Sequence, residues 1–297
     1  MKKFALIGVA GFIAPRHMKA IKDTGNTLVA SMDKFDSVGV LDQYFPKAEF
    51  FTEFERFERH LEKLKREKQA IDFLSVCTPN YLHDAHIRLG LRSNATVICE
   101  KPLVLNPWNL DALIEVEKET GKRVYTVLQL RQHPSILSLK QAIETGPLDK
   151  VYEVDLHYIT SRGNWYQRSW KGDINKSGGV ATNIGIHFFD MLTWVFGAVI
   201  ENNVIFHSDT KASGYLVLKK AKINWLLSID EQDLPISVRE HNKSTYRSIV
   251  IDGQTLDFSE GFTDLHTVAY QSILKGEGFG IEDVRTSIQI VHEIRNK

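Results

Sequence analysis

A glycine pattern near the beginning of the chain could bind a phosphate group. Gly8, Gly11 and Ala14 follow an apolar run typical of a buried strand, in the spacing G-x-x-G-x-x-A. Glycines at such positions permit a tight turn and let the backbone approach a pyrophosphate, and the helix that follows points its N-terminus at the same anion. We therefore predict a dinucleotide-binding loop that includes Phe12 and Ile13.

An acidic residue stands where a ribose-binding carboxylate is expected. A second predicted strand, residues 27–31, ends just before Asp33, which follows Gly11 by about twenty residues. A carboxylate at this position binds the ribose hydroxyls of NAD and repels the additional phosphate of NADP. The spacing favours NAD as the cofactor, although the adjacent Lys34 leaves NADP as an alternative. Asp33 could also do no more than cap a turn.

Three further polar segments follow predicted strands. The strands alternate with predicted helices, which indicates a parallel, doubly wound sheet of the α/β class. Ligands of such sheets bind beyond the carboxyl ends of the strands, so we expect these segments to contact the cofactor. The segments are Thr78, Pro79 and Asn80 with His83 three residues later, then Glu100, Lys101 and Pro102, and finally Gln129.

The order of these motifs resembles the glucose–fructose oxidoreductase and inositol dehydrogenase superfamily, Gfo/Idh/MocA. The resemblance continues in the segment 178–190, where a Gly-Gly pair opens a predicted helix that carries His187. It implies a Rossmann-type domain followed by an α+β domain with a large, mostly antiparallel open sheet. It also implies NAD as the cofactor, dimers or tetramers formed through that sheet, and a cis bond between Lys101 and Pro102.

Lys101 and His187 are the candidates for proton chemistry. Oxidation of a secondary alcohol needs a base for the hydroxyl proton and a group that stabilises the developing oxyanion. Burial beside a cationic ring lowers a lysine pKa, and a histidine titrates near neutrality. Asn183 lies four residues before His187, so the two would share one helix face. The simpler interpretations are a surface lysine and a core histidine.

Asn183 departs from the family pattern. Many members of the superfamily carry an aspartate at this position, whereas this chain carries an amide. An amide cannot act as a base, although it can hydrogen-bond a sugar hydroxyl. The departure assigns proton chemistry to Lys101 and His187, and leaves Asn183 as a substrate contact.

Shorter segments resemble a narrower group within the superfamily, the bacterial dehydrogenases of UDP-N-acetylglucosaminuronate in lipopolysaccharide O-antigen synthesis. These segments are 13–17, 128–134 and 165–172. The resemblance implies NAD-dependent oxidation of the sugar C3 hydroxyl to a ketone, with 2-oxoglutarate able to re-oxidise the cofactor. Two alternatives are an NAD(P)-dependent dehydrogenase of a free sugar or inositol and a non-enzymatic NAD-binding regulator. The presence of both Lys101 and His187 favours an enzyme.

A nucleotide-sugar acid would need positive charge and aromatic surface from this chain. Its diphosphate and carboxylate are anionic, and its uracil or sugar ring could stack on an aromatic side chain. Each candidate could equally be an ordinary loop residue, except Arg131, which is favoured because it follows directly on the predicted strand ending at Gln129. The cationic and aromatic candidates are Arg131, Arg162, Arg168, Lys171, Trp165 and Tyr166, and Asn183 and His187 complete the set.

The pattern of predicted elements changes after Gln129, so we place an NAD-binding domain at 1–130 and a substrate-binding and oligomerisation domain at 131–297. A helix at 135–145 precedes several strands joined by short turns, which predicts hairpins. The last part, from about residue 265, returns to helix with a break near 276–280. The predicted strands are 151–160, 200–207, 212–218, 221–230, 246–251 and 254–258.

Composition excludes several other classes of protein. The 297 residues contain 37 Lys plus Arg and 37 Asp plus Glu, so no excess positive charge indicates nucleic-acid or membrane binding. The two cysteines, Cys77 and Cys99, exclude a disulfide scaffold, and no residue spacing is typical of a metal site. We expect a cytoplasmic protein without a metal, and a buried first strand rather than a secretory signal at 4–14.

Overall fold

The computed structural model describes residues 1–257 and 264–297. The described chain forms two compact units, of which the first contains residues 1–129 and 264–284 and the second contains 130–257 and 285–297. The boundary near residue 130 agrees with the predicted one. The return of 264–284 to the first unit differs from the predicted division, because apolar side chains of this segment pack into the first unit's core.

The first unit is built around a parallel six-stranded sheet in the order β3-β2-β1-β4-β5-β6. This order and the intervening helices confirm the predicted Rossmann-type fold. The strands are β1 Lys3–Ile7, β2 Thr27–Met32, β3 Glu49–Phe51, β4 Phe73–Val76, β5 Thr96–Cys99 and β6 Val124–Thr126. The helices are α1 Ala14–Asp23, α2 Leu41–Tyr44, α3 Phe54–Arg66, α4 His83–Arg92, α5 Pro107–Thr120 and α11 Leu265–Leu274.

The first strand is the centre of this core. Residues 4–7 are fully buried, as a continuously apolar strand requires when helices cover both faces of a parallel sheet. Phe4 stacks on Phe73 with ring centroids 4.8 Å apart, and Tyr270 of α11 lies 5.9 Å from Phe4 on the same stack. Ala269 and Ile273 join this cluster, which explains why α11 belongs to the first unit although it is distant in sequence.

The second unit contains a mixed six-stranded sheet in the order β12-β11-β7-β10-β9-β8. Its strands are β7 Tyr152–Thr160, β8 Val199–His207, β9 Lys211–Leu218, β10 Ala221–Ser228, β11 Thr245–Ile251 and β12 Gln254–Thr255. Its helices are α6 Pro134–Thr145, α7 Trp165–Arg168, α8 Ile174–Ser177, α9 Ile186–Phe196, α10 Ile236–Glu240 and most of α12 Ile281–Arg295. The last predicted strand, 254–258, extends beyond the described residues.

Pairing in the second sheet is mostly antiparallel, as predicted, with β7 and β10 parallel at its centre. Residues of β10 alternate between buried and exposed positions. Trp225 of this strand packs edge-on against Phe189 of α9, with ring centroids 5.3 Å apart. One sheet face is therefore covered by helix within the same unit, and the other carries exposed polar side chains such as Lys222 and Asn224.

None of the helices in the described part of the chain is long and apolar enough to cross a membrane.

Candidate functional site

The glycine loop between β1 and α1 adopts a conformation that requires glycine. Gly8 has a φ of +91°, and a Cβ there would lie 2.6 Å from the carbonyl carbon of Cys77. The Gly8 N–H donates to the Met32 carbonyl, and the Gly11 N–H donates to the Gly8 carbonyl. The loop is thus folded tightly against the ends of β2 and β4, and it leads directly into α1 at Ala14.

Asp33 is placed against the glycine loop by the end of β2. Its Oδ2 accepts a hydrogen bond of 3.0 Å from the Ala10 N–H, and its Oδ1 accepts one of 3.1 Å from the Phe35 N–H. The carboxylate therefore joins the two loops that a dinucleotide would contact. Asp33 caps its own turn and also borders the glycine loop, and its contact with a ribose stays a prediction. Phe12 is 91% exposed at the tip of that loop.

His83 connects the loops that follow β4 and β5. Its ring is buried, with Nε2 lying 2.8 Å from the Thr78 carbonyl and Nδ1 lying 2.7 Å from the Pro102 carbonyl. Burial lowers its pKa. Both ring nitrogens face backbone carbonyl oxygens, so His83 connects the two loops, and its contact with a cofactor stays a prediction. The bond between Lys101 and Pro102 is cis, as the family resemblance implies.

Glu100 is also buried, which differs from the cofactor contact expected of its side chain. Its Oε1 lies 2.9 Å from Nε2 of His17 and 3.0 Å from Nε2 of His266. Burial opposes ionisation, but the hydrogen bonds from the two histidines hold the pKa of Glu100 well below its usual range. The side-chain nitrogen of Gln129 lies 3.4 Å from His266 Nε2, so Gln129 lies beside the same cluster.

Lys101 follows this buried carboxylate directly, at the end of β5. The Glu100 N–H donates to the Val76 carbonyl, so the parallel ladder extends one residue beyond the strand. Thr78, at the end of the neighbouring β4, places its hydroxyl 2.9 Å from Nδ1 of His86. The strand ends that the sequence predicted to converge are therefore adjacent in the sheet.

In the second unit, Asn183 lies in a π-helical turn, Ala181–Gly185, that precedes α9. Its Nδ2 donates a short hydrogen bond of 2.6 Å to the Tyr166 hydroxyl. The turn widens the helix just before His187, where the sequence pattern predicted a regular helix, and such turns are frequent at functional sites. Gly178 has a φ of +82°, and a Cβ there would lie 2.7 Å from Thr182.

The segment around α7 combines cations with aromatic surface. Lys171 Nζ lies 5.2 Å from the ring centroid of Trp170 and 5.9 Å from that of Trp165. Burial, together with the nearby charge of Arg162, lowers the pKa of Lys171. Trp165 is 54% exposed, whereas Tyr166 is buried with its hydroxyl bound to Asn183. Trp165 therefore exposes ring surface that could stack on a ligand, whereas the Tyr166 hydroxyl is already bound to Asn183.

Arg131 occupies a different environment from the one expected of a substrate contact. It is 4% exposed, and its guanidinium donates to Asp190 through two bonds of 2.9 and 2.7 Å. The ring of Trp194 lies 5.6 Å from its Cζ. A bidentate pair of this kind is geometrically specific. Asp190 thus takes up the Nε and Nη2 side of the Arg131 guanidinium.

Sequence reasoning missed the contributions of His17, His266 and Tyr270. His17 stands near the glycine loop, but its role could not be assigned. His266 and Tyr270 lie more than 160 residues away from Glu100 in the chain. The two residues are four positions apart and so lie on one face of α11. This spacing is common in core helices, so by itself it does not identify them as partners of Glu100 or His17.

Comparison with known proteins defines the class. Residues 2–128 match the oxidoreductase family with an NAD-binding Rossmann fold, and residues 140–231 match the C-terminal α/β domain of the same family. The chain belongs to this Gfo/Idh/MocA oxidoreductase family.

Individual relatives sharpen the comparison. The chain is similar to WlbA (WbpB) dehydrogenase from Thermus thermophilus, at 50% identity over 99% of this chain and 95% of that one. That protein was solved with NAD and alpha-ketoglutarate, with a TM-score of 0.96, and with NAD and UDP-GlcNAcA, with a TM-score of 0.95. Inositol 2-dehydrogenase from Rhizobium meliloti is 27% identical over 66% of this chain. The match with this inositol dehydrogenase spans 55% of its length. A separate match, with the putative oxidoreductase YteT from Bacillus subtilis, spans 30% of that protein's length.

The residues of the glycine loop fit a bound dinucleotide. A Cβ atom at Gly8 would collide with the backbone of Cys77 and Thr78, so this position carries no side chain. A pyrophosphate could therefore approach the loop backbone closely. The backbone from Gly8 to Ile13 and the carboxylate of Asp33 would hold NAD through its phosphates and adenosine ribose.

Proposed function

We propose that this chain catalyses the NAD-dependent oxidation of the C3 hydroxyl of UDP-N-acetylglucosaminuronate to a ketone. The observation that carries the proposal is the similarity to the Thermus thermophilus dehydrogenase, at 50% identity over nearly the whole chain, solved with NAD and this nucleotide sugar. NAD, when bound, supplies the acceptor for the hydride of the alcohol carbon.

Lys101 is the proposed base for the hydroxyl proton. An uncharged amine can accept that proton as the carbonyl forms, and a lysine at a strand end next to buried residues is held in a defined place. The order of β4, β5 and the loops that follow them supports this role, because His83 fixes Pro102 directly after the lysine.

The second unit is proposed to bind the nucleotide sugar. Lys171, Arg162 and Arg168 supply positive charge for the diphosphate and the carboxylate, and the exposed face of Trp165 supplies a stacking surface. His187 and Asn183 are the proposed contacts of the sugar ring. Asn183 contributes a hydrogen bond and no proton transfer, since its amide does not titrate.

Further parts of the proposal concern the setting of the reaction. The structure of the Thermus thermophilus relative with alpha-ketoglutarate supports 2-oxoglutarate as the compound that re-oxidises the cofactor. Both cysteines are free and buried, which suits a reducing cytoplasm. We also propose a dimer or tetramer that forms through the exposed sheet face of the second unit, with the product serving O-antigen synthesis.

The test is a reaction with UDP-N-acetylglucosaminuronate, NAD and 2-oxoglutarate, analysed by mass spectrometry. A nucleotide sugar lighter by two hydrogens, together with 2-hydroxyglutarate, is the expected result. Lys101→Met should reduce the rate about 100- to 10,000-fold while it still binds NAD. Lys118→Met, which changes an exposed lysine of the same unit, should leave the rate unchanged.

Absence of both products from protein that binds NAD would contradict the substrate assignment. A panel of inositols and free sugars then becomes the next assay, because the inositol 2-dehydrogenase is also similar to this chain. Protein that binds NAD and oxidises none of these compounds would support the regulator instead.

A further inference from the structure

A buried chain of hydrogen bonds connects four separate elements of the first unit. The Ser75 hydroxyl of β4 lies 2.7 Å from the Tyr270 hydroxyl of α11, which lies 2.7 Å from Nδ1 of His17 in α1. Nε2 of His17 then lies 2.9 Å from Glu100 Oε1 at the end of β5. All four side chains are buried. The chain of bonds thus ends on a carboxylate next to the proposed base.

A second arm reaches the same carboxylate oxygen from α11. His266 Nε2 lies 3.0 Å from Glu100 Oε1, and the ring of His266 packs edge-on against His17 with centroids 5.0 Å apart. One oxygen therefore accepts two ring N–H groups. We call His17, Glu100 and His266 the carboxylate anchor.

The protons of the anchor can be assigned from the chemistry of its atoms. An ionised carboxylate can only accept, so Nε2 of each histidine must donate to Glu100. Nδ1 of His17 is then an acceptor and takes the Tyr270 proton, and the Ser75 hydroxyl donates to Tyr270. Each donor in this arm has an acceptor, with His17 neutral and Glu100 ionised. Burial lowers the pKa of His17, in agreement with this assignment.

The other ionisable groups that face Glu100 add no charge. Burial raises the pKa values of Cys77, Cys99 and Tyr270, so all three are protonated and neutral at pH 7. Burial lowers the pKa of His83 in α4, whereas its contacts with the Thr78 and Pro102 carbonyls oppose that shift. Both donors to the Glu100 carboxylate are imidazole N–H groups rather than a guanidinium or an ammonium.

This carboxylate is joined to Lys101 by a single peptide unit. The Glu100 N–H is bound into the sheet through Val76, so the backbone on the near side of Lys101 is fixed. On the far side, His83 holds the Pro102 carbonyl. Glu100 is buried, whereas the next residue, Lys101, is half-buried just beyond the end of β5.

We propose that the carboxylate anchor positions Lys101 for proton transfer and acts on its ammonium as a fixed negative charge. His17, Glu100 and His266 are thereby positioning residues, an inference that rests on the proposed dehydrogenase reaction. One of the three anchor residues, His266, is supplied by α11.

A metal ion is the competing occupant of the same three residues, whose ligand atoms all lie within 4.8 Å of one another. The separations of 2.9 and 3.0 Å between the carboxylate oxygen and the ring nitrogens are ordinary for N–H···O bonds. Ligands about 2.0–2.1 Å from a tetrahedral zinc ion would lie about 3.3 Å apart. The distances favour hydrogen bonds, and metal analysis decides the matter.

The first test measures the pKa of Lys101 without any catalysis. The lysines of the whole protein are dimethylated with ¹³C and titrated by NMR, and Lys101→Arg identifies the resonance. Glu100→Gln should lower the pKa of Lys101 by about one unit, because the lost anion no longer favours the ammonium. Glu117→Gln, at a half-buried carboxylate of the same unit, should leave this pKa unchanged.

The second test compares kinetics with UDP-N-acetylglucosaminuronate. Glu100→Gln should lower kcat about 100-fold through misplacement of the base, with KM and the affinity for NAD nearly unchanged. The acidic limb of the pH profile should move to lower pH, in the direction of the Lys101 shift. His266→Gln retains an N–H near the Nε2 position and should recover much of the kcat lost in His266→Leu. If Glu100→Gln does not fold, this histidine pair provides the same comparison.

Three outcomes would overturn the inference. One is a folded Glu100→Gln protein with the wild-type Lys101 pKa and kcat. Another is equal kcat in His266→Gln and His266→Leu. The third is a stoichiometric metal ion in purified wild-type protein that is lost in Glu100→Gln. Wild-type protein that does not oxidise this nucleotide sugar would contradict the proposed function alone, since the NMR titration still tests the anchor.

Discussion

Two buried carboxylates, one in each unit, are treated by the fold in opposite ways. Asp190 is 2% exposed and receives two hydrogen bonds from the Arg131 guanidinium. Glu100 is 6% exposed and receives its two hydrogen bonds from the imidazoles of His17 and His266. A guanidinium always carries a positive charge beside its partner, whereas an imidazole can donate an N–H to a carboxylate without carrying one.

Asp190 therefore forms a structural ion pair, whereas the carboxylate of Glu100 can act on a neighbouring group. The pair between Arg131 and Asp190 joins the turn at 129–132 to α9 within the second unit, and its net charge is zero. In the proposed anchor, the pKa of Glu100 is held low, so its carboxylate is ionised immediately before Lys101. Burial of a charge costs free energy. A buried carboxylate that stays ionised beside a candidate base is therefore evidence for a functional role of that carboxylate.

The largest expected effect comes from breaking the neutralised pair. Arg131→Leu leaves Asp190 buried without its cation and should lower the free energy of unfolding by about 3–5 kcal/mol. Urea denaturation measures the change. The double variant Arg131→Leu with Asp190→Leu should recover most of the loss, because no uncompensated charge remains. A loss below about 1 kcal/mol in the single variant would contradict the structural role of the pair.

A smaller effect comes from acid. Burial lowers the pKa of His86 in the folded protein to about 4, and it also lowers the pKa of His17. As pH falls below 6.5, the unfolded chain binds protons that the folded chain excludes, so stability decreases as pH decreases. Each such histidine contributes about 1.4 kcal/mol per pH unit in this window. Urea denaturation at pH 7 and 5 measures the slope.

A variant of the anchor should change that slope. His17→Gln removes one titrating group, so its stability should depend less steeply on pH between 6.5 and 5 than that of the wild type. Glu100 has a lowered pKa, and its contribution is lost only as pH falls further through the carboxylate range. Identical slopes for wild type and His17→Gln would show that His17 is not neutral in the folded protein.

Removal of one hydroxyl should have a still smaller effect. Tyr270→Phe deletes the group that connects Ser75 to His17, and should lower the free energy of unfolding by about 1 kcal/mol while α11 stays packed. The ring keeps its contact with Phe4. Thermal melting with calorimetry measures the change, and an increase in stability would contradict the proton order assigned to the anchor.

The smallest effect is expected at an exposed pair that serves as a reference. Asp252→Asn removes the surface contact of 2.8 Å between Lys150 Nζ and Asp252 Oδ2. Solvent and salt screen such a pair, so the melting temperature should not change measurably. If Asp252→Asn lowered stability as much as Arg131→Leu does, burial would not explain why the Asp190 pair contributes more to stability than the Asp252 pair.

Much of the first unit could be predicted because its signals are local. A few consecutive residues are enough to recognise each of its motifs, which are the glycine loop, the strand followed by Asp33 and the segment from Glu100 to Pro102. The order β3-β2-β1-β4-β5-β6 follows from alternating strands and helices. Gly121, with a φ of +66°, ends α5 in the left-handed conformation that favours glycine, which is a signal that the local sequence carries.

The anchor could not be predicted because it depends on contacts between distant segments. His17, Glu100 and His266 carry no common spacing, and the return of α11 to the first unit depends on packing around Tyr270. The pairing of Arg131 with Asp190 was hidden in the same way. A cation after a strand can bind a ligand or a partner from another helix, and the local sequence does not distinguish the two.

A single turnover on the NAD-loaded protein tests the central claim most directly. UDP-N-acetylglucosaminuronate is mixed rapidly with excess wild-type protein or with Lys101→Met, and the absorbance of the reduced nicotinamide is followed. The account predicts a fast rise with the wild type and a rise at least about 100-fold slower with the variant, at equal NAD occupancy. No rise with NAD-loaded wild-type protein, or equal rates for the two proteins, would contradict it.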